Sequence, residues 1–258
     1  MPSLTAILVL ATMGCGSPDE ATPELDAVAQ TLFREFEDSS AVTQALEDLS
    51  VLLAEVDLEA DTDARSFTLE PLTDTDVGET AIDEQDPTLC SAVALTYQSP
   101  WSPADHSSYQ VLEDLSVLGT ASSYEREFLE PDDPSCFPAG SCELLRTQNT
   151  IVRESFLFTL SSSMRKDYRW VETGAGAAML ERGWLTESAH GEAGSNHVWQ
   201  TFEIEVWLPR EDGSVRFYAQ YAEADYAGVS DALARSLALS GAQNAMEAAD
   251  AYLEETTD

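Results

Sequence analysis

Two hydrophobic rhythms divide the chain. Leu25, Val28, Leu32, Phe33 and Phe36 recur at helical spacing; Asp38-Ser39-Ser40 interrupts them and can cap a second helix. Val42, Ala45, Leu46, Leu49, Leu52, Leu53 and Val56 then resume the period, so residues 24–57 are expected as a helical pair. From Asp57 to Asp86 the chain turns to Asp, Glu and Thr, with only Phe67-Thr68-Leu69 strand-like, and 58–89 reads as an acidic linker or solvated edge.

Beyond Cys90 the period becomes two. Phe156, Phe158 and Leu160 alternate with Ser155, Leu157 and Thr159. Phe202, Ile204, Val206 and Leu208 alternate with Trp199, Thr201, Glu203, Glu205 and Trp207. Val215, Phe217, Ala219 and Tyr221 follow a hairpin-type turn at Asp212-Gly213-Ser214. Less regular strands are expected over 91–98, 122–129, 144–152, 166–171 and 178–186. From Val229 to Glu255, Leu233, Leu237, Leu239, Ala242, Met246, Ala249 and Leu253 mark a helix, with Gly241 as a thin waist or a kink. The expected fold class is α+β: a curved antiparallel sheet packed against a long C-terminal helix, both within residues 90–258, preceded by the helical pair. Phe156, Phe158, Phe202, Ile204, Phe217, Tyr221 and Met246 are the candidates for a ligand cavity between sheet and helix, and the pattern leaves open whether they fill a solid core instead. The face bearing Trp199, Trp207, Glu203 and Glu205 is expected to be the wetter one, its rings covered by the helical pair or offered to a partner.

The 258 residues include 48 acidic and 12 basic side chains, a formal charge of −36, and Lys166 is the single lysine. Such a surface repels phosphate backbones, which excludes nucleic acid as a partner. Leu4 to Met13 is apolar but shorter than the about 20 residues that a membrane span needs. It ends in Thr12-Met13-Gly14-Cys15, which resembles the lipobox of bacterial lipoproteins, although that family usually has Leu at the place of Thr12 and a basic residue near the start. The resemblance implies a signal peptide over 1–14, lipid attachment at Cys15, a tether over 15–23, a membrane partner through acyl chains, and a place in the bacterial cell envelope, periplasmic or surface-exposed. An apolar strand with an incidental cysteine is the other reading of the same run. With Cys15 lipidated, Cys136 and Cys142 around Pro138 and Gly140 form a small disulfide loop, and Cys90 stays free or pairs between chains.

Chemistry-bearing motifs are sparse. Ser163-Met164-Arg165-Lys166 fits the S-x-x-K pattern of penicillin-binding enzymes, but it falls between strands and lacks the K-T-G partner. His190 and His197 flank a Gly/Ser loop, where Glu187 or Glu192 could supplement them toward zinc; a solvated hairpin is the plainer reading. No catalytic residue, metal or cofactor is therefore assigned. The order of strands, with Phe217 to Asp225 leading through Gly228-Val229-Ser230 into a closing helix, resembles the helix-grip fold of START-type and Bet v 1-like lipid-binding domains; Arg165 to Trp170 and Val206 to Pro209 are suggestive fragments. That resemblance implies a hydrophobic small molecule, such as a lipid or isoprenoid, under the helix. A noncatalytic envelope or structural lipoprotein with a solid core is the alternative. A hydrolase built on Ser163 or the His190/His197 loop comes last.

Overall fold

A computed structural model describes residues 23–257 apart from 120, 155–158, 192–195 and 227. The leader, Cys15 and most of the tether, together with Phe156 and Phe158, lie outside the described residues.

The chain opens with α1 (Pro23–Arg34) and α2 (Ser39–Leu53), an antiparallel pair in which Asp38 caps α2 through the N–H groups of Ser40 and Ala41. β1 (Ser66–Leu69), α3 (Asp74–Val77) and β2 (Ser91–Ser99) follow, then α4 (Pro103–Ser107) and β3 (Ser123–Glu130). A meander runs through β4 (Leu144–Glu154), β5 (Thr159–Thr173), β6 (Gly176–Leu185), β7 (Ala189–His190), β8 (Asn196–Arg210) and β9 (Gly213–Tyr226), and α5 (Asp231–Thr257) closes the chain. All strands join one antiparallel sheet in the order β1-β2-β9-β8-β6-β5-β4-β3, with β7 on β8. At the β8–β9 turn Gly213 has φ +127°, and a Cβ there would sit 2.2 Å from the Ser99 carbonyl oxygen, so only glycine fits.

Residues paired in register share a face, and the two faces are covered differently. Phe202, Ile204 and Val206 of β8, Phe217, Ala219 and Tyr221 of β9, and Ala178 and Leu180 of β6 form one core with Leu32, Phe33, Phe36, Leu46 and Leu49 of the N-terminal pair. Phe33 meets Phe202 edge to face, ring centroids 5.6 Å apart. The apolar stripe expected beneath the closing helix thus lies beneath α1 and α2. The physical reason is that these amphipathic helices supply the larger apolar surface, and the most apolar sheet face takes it.

The opposite face lies under α5. Leu239 and Met246 pack with Val93 and Leu95 of β2, while Ala249 and Leu253 join Tyr124, Ile151, Leu160, Met164, Leu185 and Val198. α5 is continuous through Gly241, with no kink there. Residues 58–89, expected as an acidic linker or solvated edge with Phe67-Thr68-Leu69 strand-like, contribute edge strand β1 and bury Leu69, Leu72 and Val77 in the core of the helical pair. Arg34 of α1 pairs with Asp76 at 2.7 Å, fixing α3 to that pair. Cys136 and Cys142 are disulfide-bonded, and Phe137 between them is fully buried against Tyr168 and Trp170. Cys90 is a free, buried thiol. Among the described residues no helix is long and apolar enough to cross a membrane.

Candidate functional site

The sheet face under α5 carries a belt of polar side chains laid out by strand register. Tyr218, Glu205, Glu181 and Tyr168 stand side by side on β9, β8, β6 and β5. The next row is Gln220, Glu203, Gly183, Lys166 and Thr147, reaching β4. Gly183 gives the ion pair its room: a Cβ there would lie 3.4 Å from Glu181 Oε1 and 3.5 Å from Lys166 Cγ. Lys166 Nζ donates to Glu181 Oε1 at 2.5 Å and lies 3.4 Å from Glu203 Oε2. Glu203 Oε1 accepts from Tyr218 Oη at 2.9 Å and Gln220 Nε2 at 3.2 Å. One row toward the turn, Arg216 bonds Glu205, lies over the Trp207 ring, and reaches the Met246 carbonyl of α5 at 3.3 Å. On the far side Arg126 donates to Asn149 at 2.9 Å and to the hydroxyls of Tyr124 and Tyr168.

Burial and pairing set the charge states. Glu181 is 2% exposed and Glu203 6%. The Lys166 side chain retains 15% exposure. Burial alone would lower the Lys166 ammonium, but Glu181 and Glu203 together carry it well above the ordinary lysine value. Burial raises Glu181, with Lys166 opposing; at Glu203 burial is outweighed by Lys166, Arg153 and the two hydrogen bonds, and its carboxyl falls below the usual range. Burial pushes the phenols of Tyr168 and Tyr218 well up, so both remain donors. An ammonium has three donor directions; Glu181 accepts one of them, and Glu203 adds its charge at 3.4 Å.

A second buried cluster ties this face to α5. Ser99 Oγ donates to Asp250 Oδ1 at 2.7 Å and lies 2.9 Å from His106 Nε2, whose other nitrogen is 3.2 Å from Tyr109 Oη. The composition is that of a Ser-His-Asp triad, but the connectivity is not. The carboxylate binds the serine and lies on the same imidazole nitrogen, 3.7 Å away, so it does not orient the far nitrogen as a relay requires. Burial, and then Arg216, depress His106 to about 2, which keeps it neutral. The cluster locks β2, α4 and α5 together. Sequence reasoning passed over Ser99 and Asp250; the capping box of Ser102 and Asp105 at the head of α4 was the only local signal.

The candidates chosen from sequence are dispersed. Phe202, Ile204, Phe217 and Tyr221 pack on the helical pair, while Met246 lies across the sheet with Val93 and Leu95, so these five line no common cavity. Trp207 is fully buried in the belt face beside Arg216 and His106. A register shift between Val198 and Gln200 breaks the alternation, and Trp199 leaves that row to stack on His197. Ser163 and Lys166, three apart on one strand, face opposite sides; Ser163 Oγ bonds Gln148 and Thr186 instead. Outside the belt, a groove of about 690 Å³ lies between the C-terminal end of α2 and the β5–β6 and β8–β9 turns.

The strand order, the α4 insertion after β2 and the closing α5 define an α+β protein of helix-grip architecture with a charged interior. No family model and no curated protein matches the chain significantly. Among solved structures it is similar to a fragment of the STAR-related lipid transfer protein from Xanthomonas axonopodis, at 10% identity and TM-score 0.44 over 67% of this chain and 90% of that one. It is also similar to TTHA0849 from Thermus thermophilus, at 13% identity and TM-score 0.44 over 65% and 99% of the two chains. Ara h 8.0201 is similar at 13% identity and TM-score 0.38, over 65% and 99%.

Proposed function

We propose that this chain is an exported, lipid-anchored binding protein that holds a small amphiphilic molecule, without chemical conversion, between the belt face of its sheet and α5. The observation that carries the reading is the Lys166–Glu181–Glu203 group. Interior ion pairs are poor stabilisers, since apolar residues of similar volume serve a core as well or better. An ion-paired ammonium among buried carboxylates and phenols is suited to orienting a ligand's polar group. The cluster of Tyr124, Ile151, Leu160, Met164 and Leu185 on the same face supplies apolar surface for the ligand's body. The Cys136–Cys142 disulfide supports an oxidising compartment, in line with export, and anchoring rests on the Cys15 motif.

The competing reading, a solid core serving an envelope or structural role, is favoured by the internal pairing of Arg216 with Glu205 and of Lys166 with Glu181. Titration of the chain with single-chain fatty acids and fatty alcohols, followed by tryptophan fluorescence and calorimetry, separates the two. Saturable one-to-one binding that Lys166→Met weakens supports the first, and absence of binding to either class supports the second. For the anchor, Cys15→Ala is expected to release the protein from the membrane fraction; continued membrane association in that variant would refute the lipoprotein reading.

A further inference from the structure

The paired strands β7 and β8 carry a second group that the ligand reading does not use. His190 and His197 are directly paired across the strands, and their Nδ1 atoms are 2.7 Å apart. The adjacent pair in the ladder, Ala189 with Val198, points inward to the core under α5, so the two imidazoles face outward. Trp199, displaced by the register shift, lies against His197 with centroids 5.0 Å apart and planes 13° apart, and its ring is 6.0 Å from that of His190. In register, His197 also pairs with Asp225 on β9, so two imidazoles and a carboxylate occupy one row across three strands.

We propose that His190 and His197 form a two-nitrogen chelate for a divalent transition-metal ion of the copper or zinc kind. Tetrahedral zinc–imidazole bonds of about 2.0–2.1 Å hold two coordinated nitrogens roughly 3.3 Å apart, so the pair needs to open by about 0.6 Å from its 2.7 Å contact. The imidazole that donates across the present contact moves its proton from Nδ1 to Nε2 through solvent, and both Nδ1 lone pairs then face the ion. No proton is lost overall. Among the described residues no group of three metal-ligating side chains is already gathered. The preformed element is therefore the histidine pair, with Asp225 one strand away and water completing the shell. Imidazole selects these ions over calcium and magnesium, which prefer oxygen ligands, so the abundant carboxylates do not compete on equal terms. The stacked Trp199 makes the site visible, because a bound copper(II) ion quenches an adjacent indole.

The test uses the full chain in excess magnesium, which occupies nonspecific carboxylate sites, titrated with copper(II) and then zinc(II). The expected result is one saturable site per chain by calorimetry, tighter for copper, with partial quenching of tryptophan emission. His190→Gln and His197→Gln are each expected to weaken binding more than about tenfold. Trp199→Phe should abolish the quench while the calorimetric site persists. A histidine variant that binds copper as the parent chain does, or the absence of a saturable site above the magnesium background, would overturn the proposal. Neither outcome depends on whether a ligand occupies the space under α5.

Discussion

Replacing Lys166 with methionine removes the ammonium between Glu181 and Glu203 while keeping the aliphatic length, so little cavity forms and the electrostatic loss is isolated. Breaking one partner out of a buried pair costs about 3–5 kcal/mol. The 15% exposure of the lysine side chain places the expected loss near the lower end, about 3 kcal/mol. The loss should depend on pH in a definite direction. Glu181 already sits above its ordinary value of 4.5 through burial, and without Lys166 it rises further. A carboxyl whose folded-state pKa exceeds its unfolded value supports folding most fully below the unfolded value, and that support is lost as pH rises through the folded one. The deficit of Lys166→Met is therefore largest at pH 8 and narrows toward pH 5. Glu203 acts in the opposite sense in the parent chain: its lowered pKa contributes stability above 4.5 that is lost on acidification, and that contribution weakens when Lys166 is gone. Urea unfolding monitored by tryptophan fluorescence at both pH values measures the difference. A deficit under about 1 kcal/mol, the range of an exposed ion pair, or one equal at pH 8 and pH 5, would refute the account of the belt.

Phe33→Ala removes the ring that α1 sets against Phe202 and is expected to cost about 3–5 kcal/mol in chemical unfolding; a loss under about 1 kcal/mol would mean that the helical pair does not anchor on this face. The depressed His106 makes folding stability fall as pH drops from 6.5 toward about 2, because only the unfolded state takes up that proton. His106→Gln should flatten this part of the stability profile, and an unchanged slope would contradict the assignment. Burial pushes the Cys90 thiol up to about 12, so iodoacetamide should leave it unmodified in the native protein and alkylate it after unfolding; rapid native labelling would show that residue to be accessible.

The elements were legible because their periods are strong. Strands expected at 91–98, 122–129, 144–152 and 178–186 appear as Ser91–Ser99, Ser123–Glu130, Leu144–Glu154 and Gly176–Leu185, and the closing helix expected over 229–255 appears as Asp231–Thr257. The facing of the sheet was not legible. Alternation separates Phe202, Ile204 and Val206 from Glu203, Glu205 and Trp207, but it does not say which set meets which helix when helices cover both sides. Acidic side chains suggest water, and here they are buried because partners distant in sequence neutralise them: Lys166 lies two strands from Glu203, and Arg216 reaches Glu205 across a hairpin. Trp199 was misplaced by a single register shift, which a two-residue period cannot reveal. Within 58–89 the strand expected at Phe67-Thr68-Leu69 appears as Ser66–Leu69, whereas the short helix after it was hidden because Leu72 and Val77 are too few to mark a period, though both are buried.

The most direct examination of the binding claim is native mass spectrometry of the protein purified under mild conditions from its own host, compared before and after unfolding. The account predicts a complex heavier than the chain by one small amphiphile, released on unfolding and diminished in Lys166→Met. A native mass equal to that of the unfolded chain, with crystals of the same preparation showing only side chains between Lys166 and α5, would contradict it.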